Sequence, residues 1–128
     1  MEGTGIVTTL NLPYPPSANR YWRHLSRGPM AGRTLLSAQA REYRIEVAAE
    51  CQARGLLRRE DEVQVTIVLT APDRRRRDID NPVKPLLDAL THAGAWLDDS
   101  QVARLVVERR VPNKADAGCV VTVEGWPP

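Results

Sequence analysis

Two cysteines, Cys51 and Cys119, are too few for a disulfide framework, and neither has neighbours at metal-ligand spacing. Both sit in apolar patterns and read as core residues. No run of apolar residues is long enough to span a bilayer, and no signal peptide is evident, so a cytoplasmic protein with no membrane partner is expected. Internal repeats and low-complexity linkers are also missing. At 128 residues with 42% hydrophobic content, the chain reads as one folded domain over residues 1–128. Lysine is nearly absent: Lys84 and Lys114 are the only two among 18 basic residues, so sixteen are arginine. Acids are missing locally, with none between Ser17 and Arg33, where Arg20, Arg23, Arg27 and Arg33 fall. A net charge of +2 therefore conceals two basic blocks, the second being Arg74, Arg75, Arg76 and Arg77. Arginine forks suit bidentate contact with phosphates and base edges.

Local patterning places the elements. Gly5 to Leu12 is rich in β-branched residues and ends at Pro13-Tyr14-Pro15-Pro16, which predicts a first strand. From Ser17 to Thr34 periodicity is lost, and a long basic loop is expected. Ser37 is placed to cap a helix running to about Arg54, with Gly55 ending it and Ala40, Tyr43, Val47 and Cys51 on one face. Val63, Val65, Ile67 and Leu69 alternate with Gln64, Thr66 and Val68 in a half-buried strand. A second helix spans roughly Pro82 to His92, with Asn81 as cap, Pro82 in its first position, Gly94 past its end, and Val83, Leu86, Leu87 and Leu90 facing inward. Strands near Val102–Arg109 and Cys119–Glu124 complete a β-α-β-α-β-β order. The expected fold is a small α+β domain, a mixed sheet packed against two helices.

The chemistry concentrates in Asp73-Arg74-Arg75-Arg76-Arg77-Asp78-Ile79-Asp80-Asn81. Carboxylates repel phosphate unless a cation lies between them, so acids beside four guanidiniums point to metal-dependent chemistry on a phosphodiester. In an extended segment Asp78 and Asp80 share a face and can converge on one Mg²⁺, which prefers hard oxygen ligands and retains several waters. Asp98 or Asp99 can supply a third acid, and spacing does not choose between them. Lys84, in the first turn of the second helix, can stabilise transition-state charge beside a helix N-terminus that favours anions. Its alternative is an i,i+4 pair with Asp88, worth only ~0.3–0.5 kcal/mol. Arg74 to Arg77 suit phosphate contact. Asn19, Arg20, Tyr21, Trp22, Arg23 and His24 interleave aromatic and basic residues, as in loops that stack on unpaired bases, although Tyr21 and Trp22 can equally anchor the loop to the core.

Together, Leu12 to His24, the Pro72–Asn81 run, Lys84 and the Ala93–Asp99 segment resemble the RusA family of Holliday-junction resolvases. The similarity spans nearly the whole chain. It implies a RusA-like fold and a homodimeric, Mg²⁺-dependent endonuclease that binds four-way junction DNA and makes two symmetric nicks with 5′-phosphate and 3′-hydroxyl ends. It also implies that the metal-binding catalytic acids are Asp78, Asp80 and Asp99, that Lys84 is the essential lysine, and that Arg77 binds DNA. Pro82 and Pro85 depart from the family pattern. Members are often carried by phages and prophages, consistent with work in recombination and repair. Two other functions fit the same residues: a non-catalytic nucleic-acid-binding module whose aspartates pair with its arginines, and a metal-dependent nuclease for flaps or mismatched duplex.

Overall fold

The computed structural model describes residues 6–128. Its elements are β1 (Val7–Leu12), α1 (Ala18–Tyr21), β2 (Trp22–His24), β3 (Thr34–Leu36), α2 (Ala38–Ala53), β4 (Val63–Thr70), α3 (Val83–His92), β5 (Val102–Arg109) and β6 (Gly118–Gly125). A 3-10 turn, Asp99–Gln101, leads into β5. The main sheet has order β1-β6-β4-β5, with β4 and β5 parallel and the other pairs antiparallel. It is the mixed α+β arrangement expected from sequence. Gly5, expected to open the first strand, lies outside the described residues. No helix of the described residues is long and apolar enough to cross a membrane.

Alternation in β4 sends Val63, Val65, Ile67 and Leu69 into the core and leaves Gln64, Thr66, Val68 and Thr70 half-buried on the opposite face. Val121 and Val123 from β6, Val47 from α2, and Leu86 and Leu90 from α3 meet them. Each such side chain contributes about 1.5–3 kcal/mol on burial, so the two long helices are held mainly by this one layer. Ser37 caps α2 as expected: its Oγ accepts from Ala40 N at 3.0 Å.

The expected loop from Ser17 to Thr34 is instead structured. It holds the short helix α1 and a separate two-stranded sheet, β2 with β3. Elements of three or four residues are too short to show a period, and tertiary anchoring makes them. Tyr21 is fully buried, and Ser37 N donates to its carbonyl at 3.0 Å. The expected start of the second helix also shifts. Pro82 occupies the N-cap of α3, and no side chain caps it. Asn81 turns elsewhere, its carbonyl and Oδ1 both accepting from Ala18 N at 3.1 and 3.2 Å. Pro85 explains that free carbonyl, because it has no N–H to return to Asn81 in the first turn. Pro85 is buried on the inner face of α3, whereas Val83 and Leu87 are only partly covered.

The far end of α3 closes as a Schellman motif. Gly94 N donates to Thr91 O and Ala95 N to Leu90 O, with Gly94 at φ 89°. Reversal at this glycine sends Trp96 into the core and brings the chain back alongside α3 as far as Asp99.

Candidate active site

Strands β4 and β5 are parallel, so both deliver their C-terminal ends to one edge of the sheet. The pairing continues into the loops: Arg110 N donates to Leu69 O at 2.8 Å and Asn113 N to Ala71 O at 2.9 Å. The Arg/Asp run leaves β4 at this edge. Its backbone is gripped from β5, where Arg109 Nη1 donates to Arg77 O at 2.9 Å. Such an edge, outside the carboxyl ends of parallel strands, is where α/β proteins commonly place ligands.

The four arginines differ. Asp73 Oδ1 accepts from Arg75 N at 3.0 Å and closes a tight turn. Arg77 folds back on it: its guanidinium lies 2.9 Å from the Asp73 carboxylate, donates to the carbonyls of Asp73 and Arg75, and sits 5.6 Å over the Tyr14 ring. The Arg75 N–H, and then Arg77, hold the Asp73 carboxyl below the usual carboxylate range. Arg77 is thus an internal strut with one-fifth of its side chain exposed, whereas Arg75 makes only a 3.6 Å contact with Asp73. Arg74 and Arg76 are exposed and meet no carboxylate among the described residues.

Contrary to the expectation from their spacing, Asp78 and Asp80 do not share the face of an extended segment. Asp78 O accepts from Asn81 N at 3.3 Å and Asp80 O from Val83 N at 3.1 Å, so the chain turns at Asp80 before entering α3. Both side chains are exposed, and neither makes an ion pair among the described residues. The helix start is also a poorer anion site than expected. Pro82 and Pro85 have no N–H, and that of Val83 is already bonded.

Lys84 Nζ lies 3.2 Å from Asp99 Oδ2. The alternative pair with Asp88 is not made, because Asp88 is held elsewhere. Arg44 Nη2 reaches Asp88 Oδ2 at 2.6 Å, Arg44 Nε reaches the same oxygen at 3.2 Å, and Tyr21 Oη donates to it as well. Burial first, then the hydrogen bond to Asp88, pushes the Tyr21 hydroxyl up to about 12. Tyr21 therefore anchors α1 to α2 and α3, and Trp22 packs edge-on against it at 4.6 Å. His24 pairs across its hairpin, Nδ1 to Thr34 Oγ1 at 3.0 Å.

The two acids before β5 are also distinguished. Asp98 accepts from Ser100 Oγ at 2.6 Å, a bond that lowers its pKa. Gln101 Oε1 accepts from the N–H groups of Leu97 and Asp98, and its amide donates to the carbonyls of Arg59 and Asp61. Asp98 is thereby engaged in the turn, and Asp99 faces Lys84. Sequence reasoning missed the cluster of Arg44 and Asp88 and the anchor Gln101. An acid four residues after Lys84 pointed to a local pair and hid the longer-range one.

An open groove of about 600 Å³ joins the two basic blocks. Arg20 enters it from α1, Arg75, Arg76, Arg77 and Asp78 from the run, and Tyr14, Pro15 and Pro16 from the turn after β1. The clamp of Ala18 N on Asn81 fixes α1 against the turn that carries Asp80. Asn19 and Arg23 are exposed outside the groove lining.

Residues 13–124 match the family described as endodeoxyribonuclease RusA. The chain belongs to the RusA family. It is 47% identical over 94 residues to a crossover junction endodeoxyribonuclease of Enterobacteria phage 82, covering 73% of this chain and 74% of the relative. With the crossover junction endodeoxyribonuclease RusA of Escherichia coli K12 it shares 46% identity over 95 residues, 73% of this chain and 75% of the relative. With that of E. coli O139:H28 it shares 44% over 104 residues, 80% and 79% of the two chains. The span matched to the RusA family contains Asp78, Asp80, Lys84, Asp99 and every residue lining the groove.

As a metal site, the donor set and the arrangement differ. Asp78, Asp80 and Asp99 offer the hard oxygen ligands that suit Mg²⁺. Among the described residues, however, no three Asp, Glu, His or Cys side chains form a ready cluster for an ion. Asp99 has Lys84 as its counter-cation instead.

Proposed function

We propose that this chain resolves four-way DNA junctions by paired, symmetric nicks in the presence of Mg²⁺, acting as a C2 dimer. The observation that carries the reading is the exposed Lys84–Asp99 pair, 3.2 Å apart, beside a turn bearing two unpaired carboxylates and a groove lined by arginines from both basic blocks. A module that only gripped nucleic acid would use its aspartates to neutralise its arginines. Asp73 does this, whereas among the described residues Asp78 and Asp80 do not.

Asp78, Asp80 and Asp99 would hold the ion. Mg²⁺, when bound, supplies the positive charge that activates an attacking water and polarises the scissile phosphate. The chain's own residues do the rest. Arg20, Arg74, Arg75 and Arg76 draw the phosphate backbone into the groove. Arg77 shapes the loop that presents them, with Asn19 and Arg23 extending the contact from α1 and β2. Lys84 keeps Asp99 in position before substrate binds. Its single, exposed contact is cheap to break, and the ammonium can then turn to charge developing on the phosphate. A four-way junction has two-fold symmetry, so two cuts require two such sites, which a C2 dimer supplies.

The test uses a labelled synthetic four-way junction beside linear duplex of the same sequence, with and without Mg²⁺. Paired nicks in the junction alone, dependent on the cation, are expected from the wild type. Asp80→Asn should bind the junction and leave it intact; full Mg²⁺-dependent cleavage by that variant removes the metal-ligand role. Metal-independent binding with no nicking returns the protein to the binding-module reading, and cleavage of flaps in preference to junctions to a nuclease of another branched substrate.

A further inference from the structure

Beyond Arg23 at its root, the β2–β3 hairpin has no task in the site just described. Its root is anchored: Tyr21 is fully buried and tied to Asp88 and Arg44, Ser37 Oγ donates to Arg20 O at 2.6 Å, and His24 pairs with Thr34. Its tip is built as well. Gly32 N donates to Leu25 O at 2.7 Å, Leu25 N to Arg33 O at 3.0 Å, and Arg33 N to Met30 O at 3.1 Å, with Gly28 and Gly32 both at φ 86°. Yet residues 26–34 are all exposed.

What the hairpin displays is selective. Arg23, Arg27 and Arg33 meet no carboxylate among the described residues, and no acid occurs in the chain from Ser17 to Arg41. Elsewhere Arg44, Arg54, Arg59, Arg77 and Arg110 each meet one, and Arg41, Arg104 and Arg109 each donate to a carbonyl or amide oxygen instead. A small two-stranded sheet is marginally stable alone, and like charges along it cost more unless an anion joins them. Between Arg27 and Arg33 the tip presents Met30, an exposed flexible apolar side chain. Phosphate-binding cations flanking an apolar wedge are the chemistry that grips DNA at an opened base step. The root adjoins the groove through Arg20, so positive charge continues from groove to tip.

We propose that this hairpin is a branch-reading finger: Arg27 and Arg33 clasp phosphates of a second DNA arm, and Met30 lodges against bases unstacked at the branch point. The proposal rests on the junction reading above and assigns junction selectivity to residues outside the cleavage site.

The experiment places 2-aminopurine at the branch point of a synthetic four-way junction and measures binding in EDTA, with linear duplex alongside. Wild-type protein should raise the 2-aminopurine fluorescence. Met30→Ala should lose most of that rise and bind the junction roughly fivefold more weakly, with duplex binding unchanged, and Met30→Leu should restore both. The double variant Arg27→Gln/Arg33→Gln should make the salt slope for the junction shallower by about 2, near 0.9 for each phosphate released. Matching thermal melts establish that the variants fold. A junction preference and fluorescence rise that survive both variants overturn the finger alone. A wild-type protein with no preference for junction over duplex overturns the junction reading and the finger with it.

Discussion

Helix α3 carries two cation–carboxylate contacts a single turn apart, and they are built to opposite ends. Asp88 takes three hydrogen bonds on one oxygen, two from Arg44 and one from Tyr21, and the Arg44 and Asp88 side chains are about one-quarter exposed. Lys84 makes one contact at 3.2 Å to Asp99, with 62% of the lysine side chain in solvent. The first joins three helices, and removing a member strands the others in a partly desolvated site. The second is a surface pair of a kind worth about 0–1 kcal/mol, free to exchange for another anion. Identical charges therefore serve as fastening at Asp88 and, in the mechanism proposed above, as reagent at Lys84.

Four measurements would break or sharpen that contrast. The largest effect is expected at the exposed pair. Lys84→Ala and Asp99→Asn should each lower Mg²⁺-dependent nicking of a four-way junction by about 10²–10³-fold. Urea unfolding of both should stay within about 0.5 kcal/mol of the wild type. Loss of stability with cleavage retained would reverse the two assignments. Asp88→Ala should show the opposite, losing about 2 kcal/mol in urea melts because Arg44 and Tyr21 are left without their acceptor. An unchanged melting curve would demote the cluster to surface decoration.

The same contrast runs through the arginines. Arg74→Gln with Arg76→Gln should flatten the salt dependence of DNA binding by about 2, as two phosphate contacts disappear. Arg77→Gln should act instead on the loop, as faster amide exchange across residues 72–80. A salt slope that moves only with Arg77 would make it the phosphate contact and the other two bystanders. The smallest effect lies at alkaline pH. The Tyr21 hydroxyl titrates at about 12 in the fold against an ordinary 10, so folding favours its neutral form. Its contribution is complete below pH 10 and is lost as pH rises toward 12. Buried Cys51 and Cys119, pushed up from 9 to about 11 and about 12 by desolvation, act in the same direction from a lower pH, their contribution being complete only below pH 9. Tyr21→Phe should therefore reduce, without abolishing, the alkaline slope of stability.

Much of this protein was legible along the chain. Alternation in β4, the Ser37 cap, glycines 55 and 94 past the helix ends and the inward stripe of α3 depend on contacts within a few residues and on one buried face, which a short window contains. Family resemblance, carried by motifs spread over the whole chain, gave the class of chemistry. What tertiary structure decided are pairings between distant segments. Spacing offered Lys84 only Asp88 as an ion-pair partner, and offered Asp98 or Asp99 only as a third acid; Arg44 and Tyr21, from other elements, occupy Asp88, while Ser100 and Gln101 engage Asp98 and its turn, leaving Asp99 to face the lysine. The turn at Asp80 and the hairpin in the supposed loop were likewise invisible, because no local period marks a turn closed by one backbone bond or a three-residue strand. The groove exists only because parallel β4 and β5 bring the Arg/Asp run to the sheet edge where Ala18 clamps Asn81, setting Arg20 beside arginines some fifty-five positions away. Local hydrogen bonding and burial write elements into sequence; the meeting of two basic blocks around a carboxylate is written only by how those elements pack.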